Sequence, residues 1–205
     1  MAFEEYWNES HKKYFTGKII YDNWLDKYLD KISKCKTKIL DLGCGEGNDT
    51  LYLIEKGYEV ISLDYSKEAL DIVKNNIRDS ITVLADISKK LPFEDNSFDI
   101  IVADLSLHYF DLETSKKIMM EIKRILTKHG CLLARVNSIY DLNYGANQGT
   151  KIEDDFYYVS GYNKRFFSLD SATSLFSLIG ETKAMESNML RYSKPKKVIE
   201  VECVK

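Results

Sequence analysis

The chain has 205 residues, 44% hydrophobic and 30% charged, with a formal net charge of -3. That length supports one sizeable core, so a single domain over residues 1–205 is expected. The mild acidity speaks against a large nucleic-acid footprint, no apolar run is long enough for a membrane-spanning helix, and the polar opening MAFEEYWNESHKKYF does not read as a signal peptide.

Residues 1–33 form an N-terminal cover, predicted to be helical in two pieces that break near Gly17. Trp24, Leu25, Tyr28, Leu29 and Ile32 fall on one face of the second piece and should pack against a core sheet. The first piece crowds Tyr6, Trp7, His11 and Tyr14 into a short segment. Four scattered cysteines, Cys35, Cys44, Cys131 and Cys203, form no C-x-x-C pair. They suit reduced thiols in a cytoplasmic protein and offer no zinc site. Lysines gather at Lys31, Lys34, Lys36 and Lys38, and again at Lys194, Lys196 and Lys197; both groups read as solvated faces.

Lys38 to Asp64, KILDLGCGEGNDTLYLIEKGYEVISLD, organises the rest of the chain. Ile39-Leu40 runs into Asp41, then come Gly43, Gly45 and Gly47, a helical pattern closed by Gly57, and a second apolar run ending on Asp64. The order is strand, tight turn, helix, strand, a right-handed βαβ unit. Ser66 is a good N-cap for a helix carrying Leu70, Val73 and Ile77 inward. A third strand, Ile81 to Ala85, ends on Asp86-Ile87. A fourth, Ile100 to Ala103, leads to Asp104 and Leu105. A helix over Glu113–Lys128 and a fifth strand, Cys131 to Val136, complete the parallel winding. Residues 138–167 show no strong period and hold five tyrosines. Ser168 caps a further helix ended by Gly180. Thr182 to Leu190 and Lys197 to Val204 are predicted strands joined by a turn containing Pro195.

Dinucleotide binding needs G-x-G-x-x-G, but here the glycines fall at every second position, with Asn48 where the third would stand. An acidic residue followed by G-x-G-x-G resembles the first motif of class I S-adenosylmethionine-dependent methyltransferases. L-P-F-x-D-x-S-F-D over 91–99, followed by Leu105-Ser106-Leu107-His108, resembles the methyltransferases that include quinone and small-metabolite methylases. The resemblance covers Lys38 to Asn137 well and implies an α/β, Rossmann-like, doubly wound, mostly parallel seven-stranded sheet. A C-terminal antiparallel hairpin and N-terminal lid helices would flank it.

The resemblance also implies roles. Asp41, Gly43, Cys44 and Gly45 would bind S-adenosylmethionine, with Asp41 suiting its positive end. Asp64, next to Tyr65, would accept both ribose hydroxyls, and Asp86 with Ile87 would read the adenine. Asp104 would meet the ammonium group beside Leu105, and Trp7 and Tyr14 would cover the cofactor, an aromatic face being able to stabilise a sulfonium. Packing alone explains Tyr6 and Trp7 equally well. His108, Arg135, Asn137, Tyr144 and Tyr158 are the candidate acceptor contacts, although His108 also suits a capping role. Residues 138–167 are a variable insert, either a substrate lid or an excursion packed on the sheet.

The expected activity is methyl transfer to a small-molecule acceptor, leaving S-adenosylhomocysteine. No catalytic residue is assigned and no metal is implied. A monomer or homodimer without membrane or nucleic-acid partners is expected. The rivals are a methyltransferase acting on protein or RNA, a nicotinamide-dependent oxidoreductase, and a non-catalytic binder of the same cofactor.

Overall fold

The structure, a computed structural model, describes residues 3–205. Its centre is β1 (Ile39–Leu42), buried at every position, as befits a strand covered on both faces of a parallel sheet. β1 pairs in parallel with β2 (Val60–Asp64) and with β4 (Phe98–Asp104). β3 (Ile81–Leu84) adds to β2, and β5 (Leu126–Asn137) adds to β4, also in parallel. β10 (Lys196–Val204) then runs antiparallel between β5 and β9 (Glu181–Met189). The order β3-β2-β1-β4-β5-β10-β9 is the Rossmann-like sheet with a C-terminal hairpin that the resemblance implies.

Alternate side chains along the central strands enter different layers, as the pleat requires. Leu40, Leu42, Ile101, Ala103, Leu132 and Ala134 face α5 (Leu112–Ile125) and α6 (Leu169–Phe176). Ile39, Ile100, Val102, Cys131 and Leu133 face the other way, toward Trp24, Leu25, Tyr28 and the Tyr52 and Leu53 side chains of α3 (Asn48–Glu55). Ser66 caps α4 (Lys67–Asn76) by accepting from the Ala69 N–H at 3.2 Å. Ser168 and Ser171 form a capping box at α6.

Three stretches depart from expectation. α1 (Phe3–Tyr14) forms, but of the second N-terminal piece only a 3-10 turn (Asp26–Tyr28) and one helical turn, α2 (Leu29–Ile32), are helical. Leu25 and Ile32 are nonetheless fully buried, so tertiary packing holds that segment. The fifth strand begins earlier than expected because α5 ends at Ile125 and the chain turns through His129, at φ +68°. The insert is ordered into an antiparallel sheet of β6 (Thr150–Glu153), β7 (Phe156–Val159) and β8 (Tyr162–Arg165). Its turns place Asp155, Ser160 and Gly161 at positive φ. Arg165 fastens this small sheet to the loop after β4: its N–H donates to His108 O at 2.7 Å, and its Nε donates to Phe110 O at 3.2 Å.

Candidate functional site

The carboxyl ends of β1 to β4 open into one cavity of about 730 Å³, in the range of small-ligand sites. At the end of β1 the chain turns through Gly43 at φ +76°, a conformation that favours glycine. A Cβ at 43 would lie 2.4 Å from Ser106 Cβ, whose Oγ donates to Leu42 O at 2.6 Å. That contact clamps the loop after β4 onto the glycine turn. Gly43→Ala is expected to destabilise the protein by about 2–5 kcal/mol, the sum of left-handed strain and overpacking. Thermal unfolding checks this, and an unchanged midpoint would contradict it. At Gly45 a Cβ would project into open space, meeting only His11 Cε1 at 3.7 Å, so the backbone there is bare toward the cavity.

Asp64, ending β2, lies in the cavity wall. Its Oδ2 accepts from Gly45 N and its Oδ1 from Ser66 N, both at 2.8 Å. Tyr65, Asp86, Ile87 and Ser88 continue the wall. Asp86 Oδ1 accepts from the Ser88 N–H at 2.8 Å and from its hydroxyl at 2.7 Å. Gly43, Cys44, Gly45, Asp104 and Leu105 also line the cavity.

α1 closes the opposite side with Trp7, His11 and Tyr14. Asn8 Oδ1 accepts from Ser66 Oγ at 2.7 Å, and His11 Nδ1 lies 3.3 Å from Glu46 Oε1. Trp7 packs on Tyr109 and Tyr162 with centroids 5.1 and 5.5 Å apart. Tyr14, at the rim, is largely exposed.

Asp41 is not in the wall. On β1 it faces α3, where it accepts from Thr50 Oγ1 at 2.6 Å, and Thr50 Oγ1 lies 2.8 Å from Ser62 Oγ. Burial raises its pKa from 3.8 to about 7, against the lowering effect of Thr50. A carboxyl shifted upward is most stable when protonated. Its contribution is complete below about pH 4 and is lost as pH rises through about 7. Asp41→Asn keeps an acceptor for Thr50, so it is expected to be more stable than the parent at about pH 8 and to lose less stability between about pH 5 and 8. Urea denaturation at both pH values checks this; equal losses would clear Asp41.

Arg135 also departs from the cavity. It shares the β5 face of Cys131 and Leu133, so its guanidinium lies over the Trp24 ring at 4.5 Å. It grips both Asp104 oxygens at 2.7 Å and reaches Asp22 at 2.9 and 3.1 Å. Asp104 further accepts from Arg191 Nη2 at 2.9 Å. Burial alone would raise Asp104, but the two arginines hold it below the usual carboxylate range. Its carboxylate is thus committed to cations of this chain, although the residue lines the cavity.

His108 and Asn137 are buried behind the cavity. Tyr144 stacks against Tyr192, and its hydroxyl donates to Lys194 O at 2.9 Å; Tyr158 is exposed on β7. Lys196 is buried and paired with Asp141 at 2.7 Å, not solvated as its lysine-rich neighbourhood suggests. Arg191, Tyr192, Tyr109 and Ser106 line the cavity but carry no sequence motif.

With this geometry in view, residues 40–134 match the family model described as a methyltransferase domain. A putative methyltransferase of Bacillus subtilis is 32% identical over 128 residues, 60% of this chain and 51% of that protein. A tRNA N(3)-cytidine methyltransferase of Gallus gallus is 28% identical over 165 residues, 74% of this chain and 44% of that protein. The chain spans about half the length, or less, of the curated relatives it matches. Among solved structures, the Burkholderia thailandensis 1,6-didemethyltoxoflavin-N1-methyltransferase, with its substrate and S-adenosylhomocysteine, superposes with a TM-score of 0.66 at 17% identity. That match covers 89% of this chain and 77% of the other, and at such identity it is a likeness of fold.

Proposed function

We propose that this chain, whose residues 40–134 match the family model described as a methyltransferase domain, is an S-adenosylmethionine-dependent methyltransferase that acts on a small-molecule acceptor. One observation carries the proposal: the glycine turn, Asp64 and Asp86, from the ends of three successive strands, line one cavity. The residues fit the cofactor. The bare backbone at Gly45 admits close approach, and Asp64 offers two oxygens whose existing N–H partners leave lone pairs for ribose hydroxyls. Asp86 and the Ile87 N–H suit the adenine edge, and Trp7 and Tyr14 cover the site.

Bound there, S-adenosylmethionine would supply an already activated methyl group. The task left to the chain is to orient the acceptor and exclude water, which α1 and the loop clamped by Ser106 serve. Asp104 acts through its arginines, holding the turn before β10 against the cavity. A base is needed only for an acceptor that must lose a proton, and none is assigned.

A methyltransferase acting on RNA is the second reading, favoured by the likeness to the tRNA enzyme. Incubation with tritium-labelled S-adenosylmethionine and fractionated extract separates the two. Label is expected in the small-metabolite fraction; label confined to RNA or protein would overturn the acceptor class.

A further inference from the structure

Behind the cavity, between the loop after β4, the end of β5 and the small sheet β6-β7-β8, lies a polar cluster that the cofactor reading does not use. His108 and Asn137 are 2% and 1% exposed, yet His108 Nδ1 and both amide atoms of Asn137 have no hydrogen-bond partner among the described residues. Leaving such atoms unmatched forfeits their hydration with nothing in return. Two lysines accompany them, Lys164 and Lys196, both buried. Asp141 neutralises one by accepting from Lys196 Nζ at 2.7 Å. Lys164 Nζ donates to the Tyr144 carbonyl at 3.2 Å and feels Asp141 only at longer range, with no ion pair within 4 Å among the described residues. A buried cation without a direct ion pair is expensive unless an anion completes it.

The cluster adjoins the cavity through rings. Tyr109, in the cavity wall, lies 4.3 Å from the His108 ring and 5.7 Å from Tyr162, over which Lys164 Nζ sits at 4.6 Å. Tyr192, also in the wall, packs on Tyr144 at 5.5 Å, and Lys196 Nζ lies 4.7 Å from that ring. At the same end Arg191, whose Nη2 holds Asp104, has a buried Nη1 with no partner among the described residues. Unmatched donors and excess positive charge thus collect on one side of the cavity, behind Tyr109 and Tyr192.

We propose that His108, Asn137 and Lys164 form an acceptor subsite for an anionic group, a carboxylate or phosphate, carried by the small molecule to be methylated. This deepens the methyltransferase reading and rests on it. Lys164 supplies the counter-charge, and the Asn137 amide supplies a directed N–H. His108 stays neutral, because burial and the two lysines hold its pKa well below the usual range, so it offers one N–H and one acceptor. The anion would hold the acceptor's far end while its reacting atom faces the cavity.

The test is an NMR titration of S-adenosylhomocysteine-saturated protein, following the Asn137 side-chain amide. Inorganic phosphate is added in one arm and acetate in the other. A saturable shift below about 50 mM anion is expected in one arm at least, and the responding arm tells phosphate from carboxylate. In Lys164→Met, which removes the unpaired charge at similar length, anion affinity should fall roughly tenfold or more while S-adenosylhomocysteine affinity by calorimetry stays within about twofold. Asn137→Asp, adding a negative charge, should abolish the shift seen at neighbouring resonances. No saturable response to either anion, or equal affinity in Lys164→Met, would overturn the subsite. Failure of S-adenosylhomocysteine to bind would instead sink the cofactor reading, a separate result.

Discussion

Asp64→Ala should bind S-adenosylmethionine at least tenfold more weakly than the parent while keeping its circular dichroism spectrum. In the proposed complex the carboxylate would accept two hydroxyl donors, and hydrogen bonds to a charged acceptor are each worth ~1.5–3 kcal/mol. About 1.4 kcal/mol already corresponds to a factor of ten. The same carboxylate also steadies the glycine turn, through Gly45 N and Ser66 N at 2.8 Å. Its loss therefore loosens the cradle as well as removing contacts, and both effects act in one direction. Calorimetry on parent and variant measures the change. An unaltered affinity would remove Asp64 from the site.

Arg135→Met should show the opposite pattern, a loss of stability more than of binding. The residue is 2% exposed and its side chain holds two carboxylates, with four contacts between 2.7 and 3.1 Å. Removing one partner of a buried ion pair typically costs ~3–5 kcal/mol, because the other charge stays behind. For a chain of this size that corresponds to a fall in melting temperature of roughly 6–20 °C. Arg191 still neutralises part of Asp104, so the effect should be milder in Arg135→Lys, which keeps a charge. Thermal and urea unfolding check this. An unchanged midpoint with a raised acceptor KM would return Arg135 to the acceptor side, where the sequence alone places it.

These two residues also show what the sequence displays and what it hides. Asp64 is legible because its setting is local: an apolar run, a terminal acid, then Ser66 as a cap. The glycine turn and the closing hairpin are legible for the same reason. Arg135 is not. Alternation along β5 shows that it opposes Ala134 but not which face meets the cleft, and its partner Asp22 lies 113 residues away in sequence. Asp41 behaves likewise: the acid motif is plain, but Thr50 on α3 claims its carboxylate.

In the N-terminal cover, apolar spacing that suits a helix is met by a 3-10 turn and one helical turn. Trp24, Leu25 and Ile32 are buried by contact with the sheet, and one helical turn suffices to place them. Residues 138–167 hide a three-stranded sheet because its strands span four residues each and alternate poorly, and Ser160-Gly161 is their best turn signal. Arg191 enters the site from the turn before β10, a position without any motif.

Calorimetric titration of the purified chain with S-adenosylhomocysteine, with NADH as the parallel arm, tests directly which nucleoside the cavity holds. Saturable heat at one site per chain is expected for the first ligand, greatly reduced in Asp64→Ala, and none for the second. Absence of heat with S-adenosylhomocysteine, or saturable binding of NADH instead, would contradict the cofactor reading.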